Sequence, residues 1–120
     1  VPNYIQGRSI RPLLNGNQPA DWKNVAYHRY WMHKDPDHNA YAHYGIRNQR
    51  YKLIYWYNDG FGLPGTGDGI EDKEWELFDC KEDPLELFNV YTDAAYEQIV
   101  RKMTSQLNDK MNEIGDIPEH

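Results

Sequence analysis

Apolar and polar residues alternate through the middle of the chain with the period of a β-strand. Tyr44 and Ile46 alternate with polar or small neighbours in residues 41–47, and Leu53 lies in a second alternating run at residues 50–57. A period of two sends successive side chains to opposite faces of a pleated strand. The pattern therefore predicts a hairpin of two strands joined by a tight turn.

Two further stretches are typical of strands. Residues 25–32 are rich in large β-prone side chains, and residues 75–79 form a shorter run of the same kind. In the hairpin turn, Asn48 tolerates a positive φ whereas Gln49 does so poorly, so the turn type stays open. Together the four stretches predict a meander of four antiparallel strands.

The last third of the chain changes to a helical period. Asp93 is placed to cap the first turn, and Gly115 to end the helix in the left-handed conformation. Apolar residues recur between them at steps of three or four: Tyr96, Ile99, Val100, Met103, Leu107, Met111 and Ile114. We therefore predict an α+β fold, a four-stranded antiparallel sheet with one long C-terminal amphipathic helix packed on one face.

The pattern also indicates where the folded unit begins. Residues 1–22 contain few apolar anchors and several turn formers. One short helical turn is predicted between Ile10 and Leu14, with Ser9 as its cap. We therefore divide the chain into an irregular lead-in segment, residues 1–22, and a folded unit, residues 23–120.

Two loops connect the later elements. Residues 58–74 hold five glycines, and a loop of this length without its own structure is typically functional or mobile. The chain reverses after the fourth strand, and apolar side chains follow the reversal: Leu85, Leu87, Phe88 and Val90. We expect these four side chains to dock a turn onto the core.

Composition argues against two broad classes of function. The chain of 120 residues carries a net charge of -6 with scattered Lys and Arg, so a nucleic-acid role has no electrostatic support. No apolar run approaches the length of a membrane span, and no signal-peptide pattern opens the chain. Because Val1 rather than Met is the first residue, we expect a processed chain or a piece of a larger one.

Aromatic residues are unusually frequent, with ten Tyr and four Trp. One helix covers only one face of the predicted sheet, yet both faces carry apolar side chains, so some aromatic rings should remain exposed. The rings in question are Tyr27, Trp31, Tyr55, Trp56 and Tyr57. Such a patch usually marks an interface, so we predict packing against another domain or chain, or dimerisation of the isolated chain.

No complete catalytic constellation is visible in the sequence. The spacing of His33, His38 and His43 runs through strand, loop and strand and fits no strong metal pattern, so we predict no metal site. Cys80 is the only cysteine, and the carboxylates of its neighbours disfavour the thiolate. His38 and His43 each lie near a junction of loop and strand, so substrate contact by either is a hypothesis beside the purely structural one.

Several stretches of the chain form a recognisable series. They are Gln6-Gly7-Arg8-Ser9 with Pro12-Leu13-Leu14, Tyr41 to Tyr55, Asp59-Gly60 to Pro64-Gly65, Trp75-Glu76-Leu77-Phe78-Asp79, and Asp83-Pro84 with Glu86 and Asn89. In this order the series resembles the C-terminal part of the type I sulfatases. These are the arylsulfatase and N-sulfoglucosamine sulfohydrolase group of the alkaline-phosphatase-like superfamily.

The resemblance implies a C-terminal subdomain at residues 23–120 that packs on a larger N-terminal catalytic domain, with residues 1–22 leading out of that domain. Family members use a formylglycine, made from Cys or Ser in a C/S-x-P-S/A-R motif, and a calcium-type divalent ion held by Asp and Asn. Neither the motif nor the ion site is visible in this sequence, so this stretch alone is expected not to hydrolyse sulfate esters. Members of the family usually work in the periplasm, outside the cell or in the lysosome.

The resemblance also implies candidate substrate contacts. The family's C-terminal subdomain can lie beside the mouth of the active site, and His38, His43 and Tyr44 are the candidates for contact with a sulfated carbohydrate. An imidazole can donate a hydrogen bond to an anionic group, and an aromatic face suits a sugar ring. Packing of these side chains against the catalytic domain is the alternative that stays open.

Two other functions remain open from the residues alone. A free-standing carbohydrate-binding module would use the many surface aromatic rings. An independent metallohydrolase would need a metal ion held by His33, His38 and His43.

Overall fold

The computed structural model describes residues 2–117 and has the predicted α+β architecture. Val1 and the end of the predicted folded unit, including His120, lie outside the described residues. In chain order the elements are helix α1 (Arg11–Leu14), strands β1 (Ala26–Tyr30), β2 (His43–Arg47), β3 (Tyr51–Trp56) and β4 (Glu74–Asp79), a 3-10 turn (Ala94–Tyr96) and helix α2 (Glu97–Ile114).

The four strands pair in chain order and antiparallel, as a meander requires. The register sorts the side chains into two faces. One row across the sheet faces α2: Tyr27, Ile46, Leu53 and Leu77. The neighbouring row lies on the other side, here called the open face: His28, Gly45, Ile54 and Glu76.

The core lies between the sheet and one side of α2. Met103, Leu107 and Met111 are buried on the helix at the predicted spacing of four residues. They pack with Ile46 and Leu53, both of which are fully buried. Burial of side chains of this size stabilises a fold by about 1.5–3 kcal/mol each, so this layer holds the helix on the sheet.

Both ends of the helical segment follow the prediction. The Asp93 carboxylate accepts a hydrogen bond from the Ala95 N–H at 2.9 Å, and the chain enters α2 through one 3-10 turn. Gly115 ends the helix with a φ of 73°, in the left-handed region where a Cβ would be strained.

The hairpin turn is closed by a side chain and not by a positive φ. Asn48 Oδ1 accepts hydrogen bonds from the N–H groups of Arg50 at 2.9 Å and Tyr51 at 2.7 Å. The Asn48 N–H donates to the Tyr51 carbonyl at 3.0 Å. An Asn that bonds the backbone two or three residues on forms a turn by itself, so Gln49 needs no unusual conformation.

The turn after β4 departs from the prediction. Of the four side chains expected from the sequence to dock on the core, Val90 packs against it. For Leu85, Leu87 and Phe88 the expectation is wrong, since their exposed fractions are 76%, 67% and 68%. Glu86 takes a φ of 56°, and its carboxylate pairs with the Lys52 ammonium at 3.1 Å. An ion pair therefore anchors the turn, and its apolar side chains face outward.

The predicted exposure of aromatic rings is confirmed in part. Trp31 has an exposed fraction of 52%, whereas Tyr57 is buried at 1%. Tyr27, Tyr55 and Trp56 are half-buried. The exposed apolar surface is therefore formed mostly by loops and by the turn after β4.

The division of the chain at residue 23 stays a prediction. In α1, Ile10 takes the N-cap position, while the Ser9 hydroxyl accepts a hydrogen bond from the Arg11 N–H at 3.3 Å. Gln6 Nε2 donates to the carbonyl of Ile114 at 3.2 Å, which connects the lead-in segment to the end of α2.

A buried carboxylate joins the hairpin, β4 and the start of the helical segment. Asp79, only 2% exposed, accepts hydrogen bonds from Arg50 Nη2 at 2.8 Å and from the Tyr96 hydroxyl at 3.1 Å. The hydrogen bond from Arg50, above all other contacts, lowers the pKa of Asp79 to about 2. The carboxylate is therefore charged in the folded protein at every pH above that value.

We predict that Asp79→Asn lowers the free energy of unfolding by about 2 kcal/mol at neutral pH, because a charged acceptor of several hydrogen bonds is lost. The folded-state pKa lies below the ordinary value of 3.8, so the stability that the Asp79 carboxylate contributes is present above that pH and is lost as pH falls toward about 2. The variant should therefore lose less stability than the wild type over that interval, as measured by urea unfolding. Asp109→Asn, an exposed change on α2, is the control. Equal pH dependence of wild type and Asp79→Asn would contradict the assignment.

Candidate functional site

A groove with a volume of about 850 Å³ opens where the open face meets the two long loops. Strand residues His43, Trp56 and Glu74 line one side of it. Loop residues such as Tyr41 and Asp72 line the other. Because the groove joins strands to connecting loops, we take it as the candidate binding site.

A row of rings crosses the open face beside the groove. The register pairs Tyr30 with His43, His43 with Trp56, and Trp56 with Glu74. The ring centroids of His43 and Trp56 are 4.3 Å apart, and those of Tyr30 and His43 are 5.9 Å apart. His43 is therefore held in a fixed orientation by rings on both sides, and its Nδ1 lies 2.8 Å from the carbonyl oxygen of Tyr41.

His28 lies next in this cluster and depends on a glycine. Its ring centroid is 5.6 Å from that of His43. A Cβ on Gly45 would lie 2.7 Å from His28 Cε1 and 2.3 Å from the Leu53 carbonyl oxygen, so only glycine fits under the ring. Burial, and then the neighbouring His43, lower the pKa of His28, so its imidazole is neutral at pH 7.

His33 connects the two long loops. Its imidazole is fully buried; Nδ1 accepts a hydrogen bond from the Ala42 N–H at 3.1 Å, and Nε2 donates to the Glu71 carboxylate at 2.7 Å. These partners fix the tautomer with the proton on Nε2. Burial lowers the pKa of His33, and the charge of Lys34 adds to that effect. The loop of residues 58–74 is thus held to the loop before β2.

His38 belongs to a different arrangement. The buried Asp35 carboxylate accepts hydrogen bonds from the Tyr30 hydroxyl and from the His38 backbone N–H, and it lies 2.9 Å from His38 Nδ1. The contact with Tyr30, above all, holds the pKa of Asp35 well below its ordinary range. The same contact raises the pKa of Tyr30 to about 12. The His38 side chain itself remains 73% exposed.

The structure does not bring the three predicted substrate contacts together. His43 lines the groove, and His38 lies on the neighbouring loop without lining it. Tyr44 is buried on the helix face, on the opposite side of the sheet from His43, and burial raises its pKa to about 12.

The histidines do not form a metal site either. Across residues 2–117, no three His, Cys, Asp or Glu side chains are grouped so that they could hold a metal ion. His33 and His38 instead have separate partners, Glu71 and Asp35. Cys80 lies beside Glu86, with its Sγ 3.8 Å from the carboxylate, and burial raises the pKa of its thiol.

Carboxylates dominate the charge of the groove. Glu71 is paired with Lys34 and His33, and Glu76 accepts a hydrogen bond from Trp56 Nε1 at 2.7 Å. Asp72 and Glu74 are also part of the lining, but they are exposed and form no salt bridge with any residue of the described range. Three polar residues of this lining were not among the candidates predicted from the sequence: Asp72, Glu74 and Asn58.

Asn58 carries an unsatisfied acceptor in this lining. Its side chain is 5% exposed, and its Nδ2 donates to the carbonyl of Asp72 at 2.6 Å. Its Oδ1 is buried and has no hydrogen-bond partner among the described residues. The one sequence signal for this acidic side is the alternation of Glu74 and Glu76 on β4, which places both on the face of Trp56.

Comparison with known proteins gives a consistent family. A family model described as N-sulphoglucosamine sulphohydrolase, C-terminal, matches residues 1–113. An N-acetylglucosamine-6-O-sulfatase of Bacteroides thetaiotaomicron is 36% identical over 118 residues, which are 97% of this chain and 19% of that protein. The chain therefore spans about a fifth of the length of this relative.

Solved structures agree with the sequence match. One, of a protein in complex with its substrate D-glucosamine-2-N,6-O-disulfate, has a TM-score of 0.81 at 35% identity, covering 97% of this chain and 21% of that one. The phosphonate monoester hydrolase of Agrobacterium radiobacter has a TM-score of 0.63 at 23% identity, covering 90% of this chain and 21% of its own. At that identity the second likeness concerns the fold alone.

We predict that His33→Ala destabilises the chain by about 3 kcal/mol, because it removes two buried hydrogen bonds and leaves a cavity. Hydrogen exchange should quicken at the amides of Ala42 and Gly67, which bond to the His33 side chain and carbonyl. The control is His38→Ala, whose side chain is exposed and should cost about 0.5 kcal/mol. Equal effects of the two substitutions would contradict the structural role of His33.

Proposed function

Because the chain belongs to the family of N-sulphoglucosamine sulphohydrolase C-terminal domains, we propose that it is the C-terminal subdomain of a sulfatase, a sulfuric ester hydrolase. The observation that carries the proposal is the family match over residues 1–113. The TM-score of 0.81 against a protein bound to a sulfated glucosamine supports it. In this proposal residues 1–22 lead out of a larger catalytic domain, and residues 23–120 form the subdomain.

The catalytic groups belong to that larger domain. The described residues do not fit the calcium-type divalent ion of the family, because no three His, Cys, Asp or Glu side chains among them are grouped as ligands. They do not fit the formylglycine either, because Cys80 is followed by Lys81 and Glu82 in place of the required motif. We place both groups in the N-terminal catalytic domain, and no step of catalysis is assigned to this chain.

The exposed apolar turn after β4 is our candidate for contact with the catalytic domain. Leu85, Leu87 and Phe88 are each more than two-thirds exposed, although a turn of this kind is normally polar. The ion pair of Glu86 with Lys52 fixes the turn against the sheet, so the three side chains are presented by a rigid support. In the isolated chain the same surface supports self-association.

His38 and His43 are the proposed contacts with a sulfated carbohydrate. His38 Nδ1 donates to the Asp35 carboxylate and His43 Nδ1 to the Tyr41 carbonyl, so each ring presents Nε2 to a ligand. Nε2 of His38 can donate to a sulfate oxygen when that ring is protonated, and Nε2 of His43 can accept a hydrogen bond from a sugar hydroxyl. Tyr44 is proposed to contribute indirectly: its buried ring packs under β2 on the helix side and so supports the strand that carries His43. The family's usual destinations are the periplasm, the cell exterior and the lysosome, and we propose one of these for this protein.

A membrane-spanning helix requires a long, mostly apolar segment. Among the described residues, no helix has the length and apolar character needed to span a bilayer.

A second function, a carbohydrate-binding module, is favoured by one observation. The groove presents the rings of Trp56 and Tyr41 along an open surface, as sugar-binding sites often do. Such a module would bind glycans without any attached catalytic domain. Binding of a glycan by the 120-residue chain, together with no sulfatase in the complete gene product, would favour this function.

The test of the proposal is the complete open reading frame that encodes this chain. We expect a C/S-x-P-S/A-R motif upstream of Val1, and release of sulfate from N-sulfated or 6-O-sulfated glucosamine by the complete product. The 120-residue chain alone should release none. A complete product without that motif and without sulfatase activity would overturn the proposal.

We predict that His38→Ala and His43→Ala each lower kcat/KM of the complete enzyme by about tenfold or more, because a hydrogen bond to the substrate is lost in each variant. The assay is sulfate release from sulfated glucosamine. Lys81→Ala, an exposed change at the far end of β4, is the control and should leave kcat/KM unchanged. Wild-type kinetics in both histidine variants would remove them as substrate contacts.

We predict that the double substitution Leu87→Ser and Phe88→Ser reduces self-association of the isolated chain, because it removes exposed apolar surface that two copies could bury against each other. Sedimentation velocity over a concentration series measures this. Leu14→Ser, at an equally exposed leucine of α1, is the matched control. An isolated wild-type chain that stays monomeric at every concentration would contradict the prediction.

A further inference from the structure

From the lining of the groove beside His43, we propose that it binds an amino sugar through a free ammonium group. That the ligand is a sugar rests on the proposed function, whereas the positive charge is argued from the groove itself. The site is distinct from the imidazole of His38, which faces solvent on the neighbouring loop.

The charges of the groove oppose a sulfate and favour a cation. Four carboxylates line it, and no Lys or Arg is part of the lining. Two of the four are already committed, Glu71 to Lys34 and His33, and Glu76 to Trp56. Asp72 and Glu74 have no such partner among residues 2–117. A sulfate oxygen placed here would be repelled, and an ammonium would be attracted.

An unsatisfied acceptor adds an observation independent of the charges. Asn58 is 5% exposed, lines the groove, and has a buried Oδ1 without a hydrogen-bond partner in the described range. Buried polar atoms are nearly always paired in native proteins. An acceptor left over beside carboxylates matches a ligand that brings hydrogen-bond donors, and an ammonium brings three.

The aromatic side of the groove suits the body of such a ligand. Trp56 lies between Glu74 and Glu76 on the open face, with its Nε1 fixed by Glu76. An indole held in this way can take a cation over its face, and indole is the best of the side chains for that contact. A sugar ring carrying an ammonium can therefore place its ring against Trp56 and its charge near Asp72 and Glu74.

The specificity that follows is a preference for the unsubstituted amine. N-acetylation removes the positive charge of glucosamine, and N-sulfation reverses it. The contacts offered are an exposed cation–π contact and exposed ion pairs, which together amount to about a tenfold difference in affinity. The difference should shrink as salt is added, because exposed charges are screened.

The test is titration of the 120-residue chain, followed by NMR at the indole N–H of Trp56. The probes are methyl glucosaminide, its N-acetyl and N-sulfo derivatives, and lysine amide as a cation that is no sugar. We expect methyl glucosaminide to bind about tenfold more tightly than its N-acetyl and N-sulfo derivatives, which lack the positive charge. It should also bind more tightly than lysine amide, which has the charge but no sugar ring to place against Trp56. Equal binding of the N-acetyl sugar would overturn the role of charge. Equal binding of lysine amide would overturn the role of the sugar.

Two double variants complete the experiment. Asp72→Asn with Glu74→Gln should reduce binding of methyl glucosaminide by about tenfold and abolish its salt dependence. Glu97→Gln with Asp109→Asn changes the net charge equally at exposed positions on α2, and it should leave binding unchanged. Equal loss in both double variants would overturn the proposal. None of these measurements uses sulfatase activity, so a failure here is distinct from a failure of the proposed function.

Discussion

One helix can cover only one face of a four-stranded sheet, and the rest of this structure depends on that limit. α2 buries the face that carries Ile46 and Leu53. On the open face, Ile54 is nevertheless only 5% exposed. The Lys52–Glu86 pair and the ring of His28 lie on that face. The result is a polar, structured surface in place of a second apolar layer.

The same limit explains where binding chemistry occurs. Side chains on the helix face are used for the core, so Tyr44 is buried there, whereas its neighbour His43 lines the groove. The groove is rigid on its strand side, and its loop side is held by His33 and Glu71. The family resemblance points to sulfated sugars, while the groove itself is acidic. A sulfated sugar and an acidic groove are compatible when the sulfate of the sugar lies near His38 and an amine lies in the groove.

The sequence was a good guide wherever a repeating pattern carried the information. Period two predicted the strands, and it also separates adjacent residues such as His43 and Tyr44 onto opposite faces. The pattern could not show that Asn48 closes the hairpin through its side chain, because that depends on hydrogen bonds. It also predicted incorrectly that Phe88 is buried, because apolar character alone does not distinguish a core side chain from an exposed one at an interface. The acidic groove joins residues far apart in sequence, so no local motif announced it.

This fold completes its core on one face, and we propose that its remaining apolar surface packs against a larger domain. Hydrogen exchange tests this proposal directly, by comparing the 120-residue chain with the complete gene product. The amides of α2 and the strands should be equally protected in both, and the turn of Leu85 to Phe88 should exchange much more slowly in the complete product alone. Equal exchange at that turn in the two proteins would contradict it.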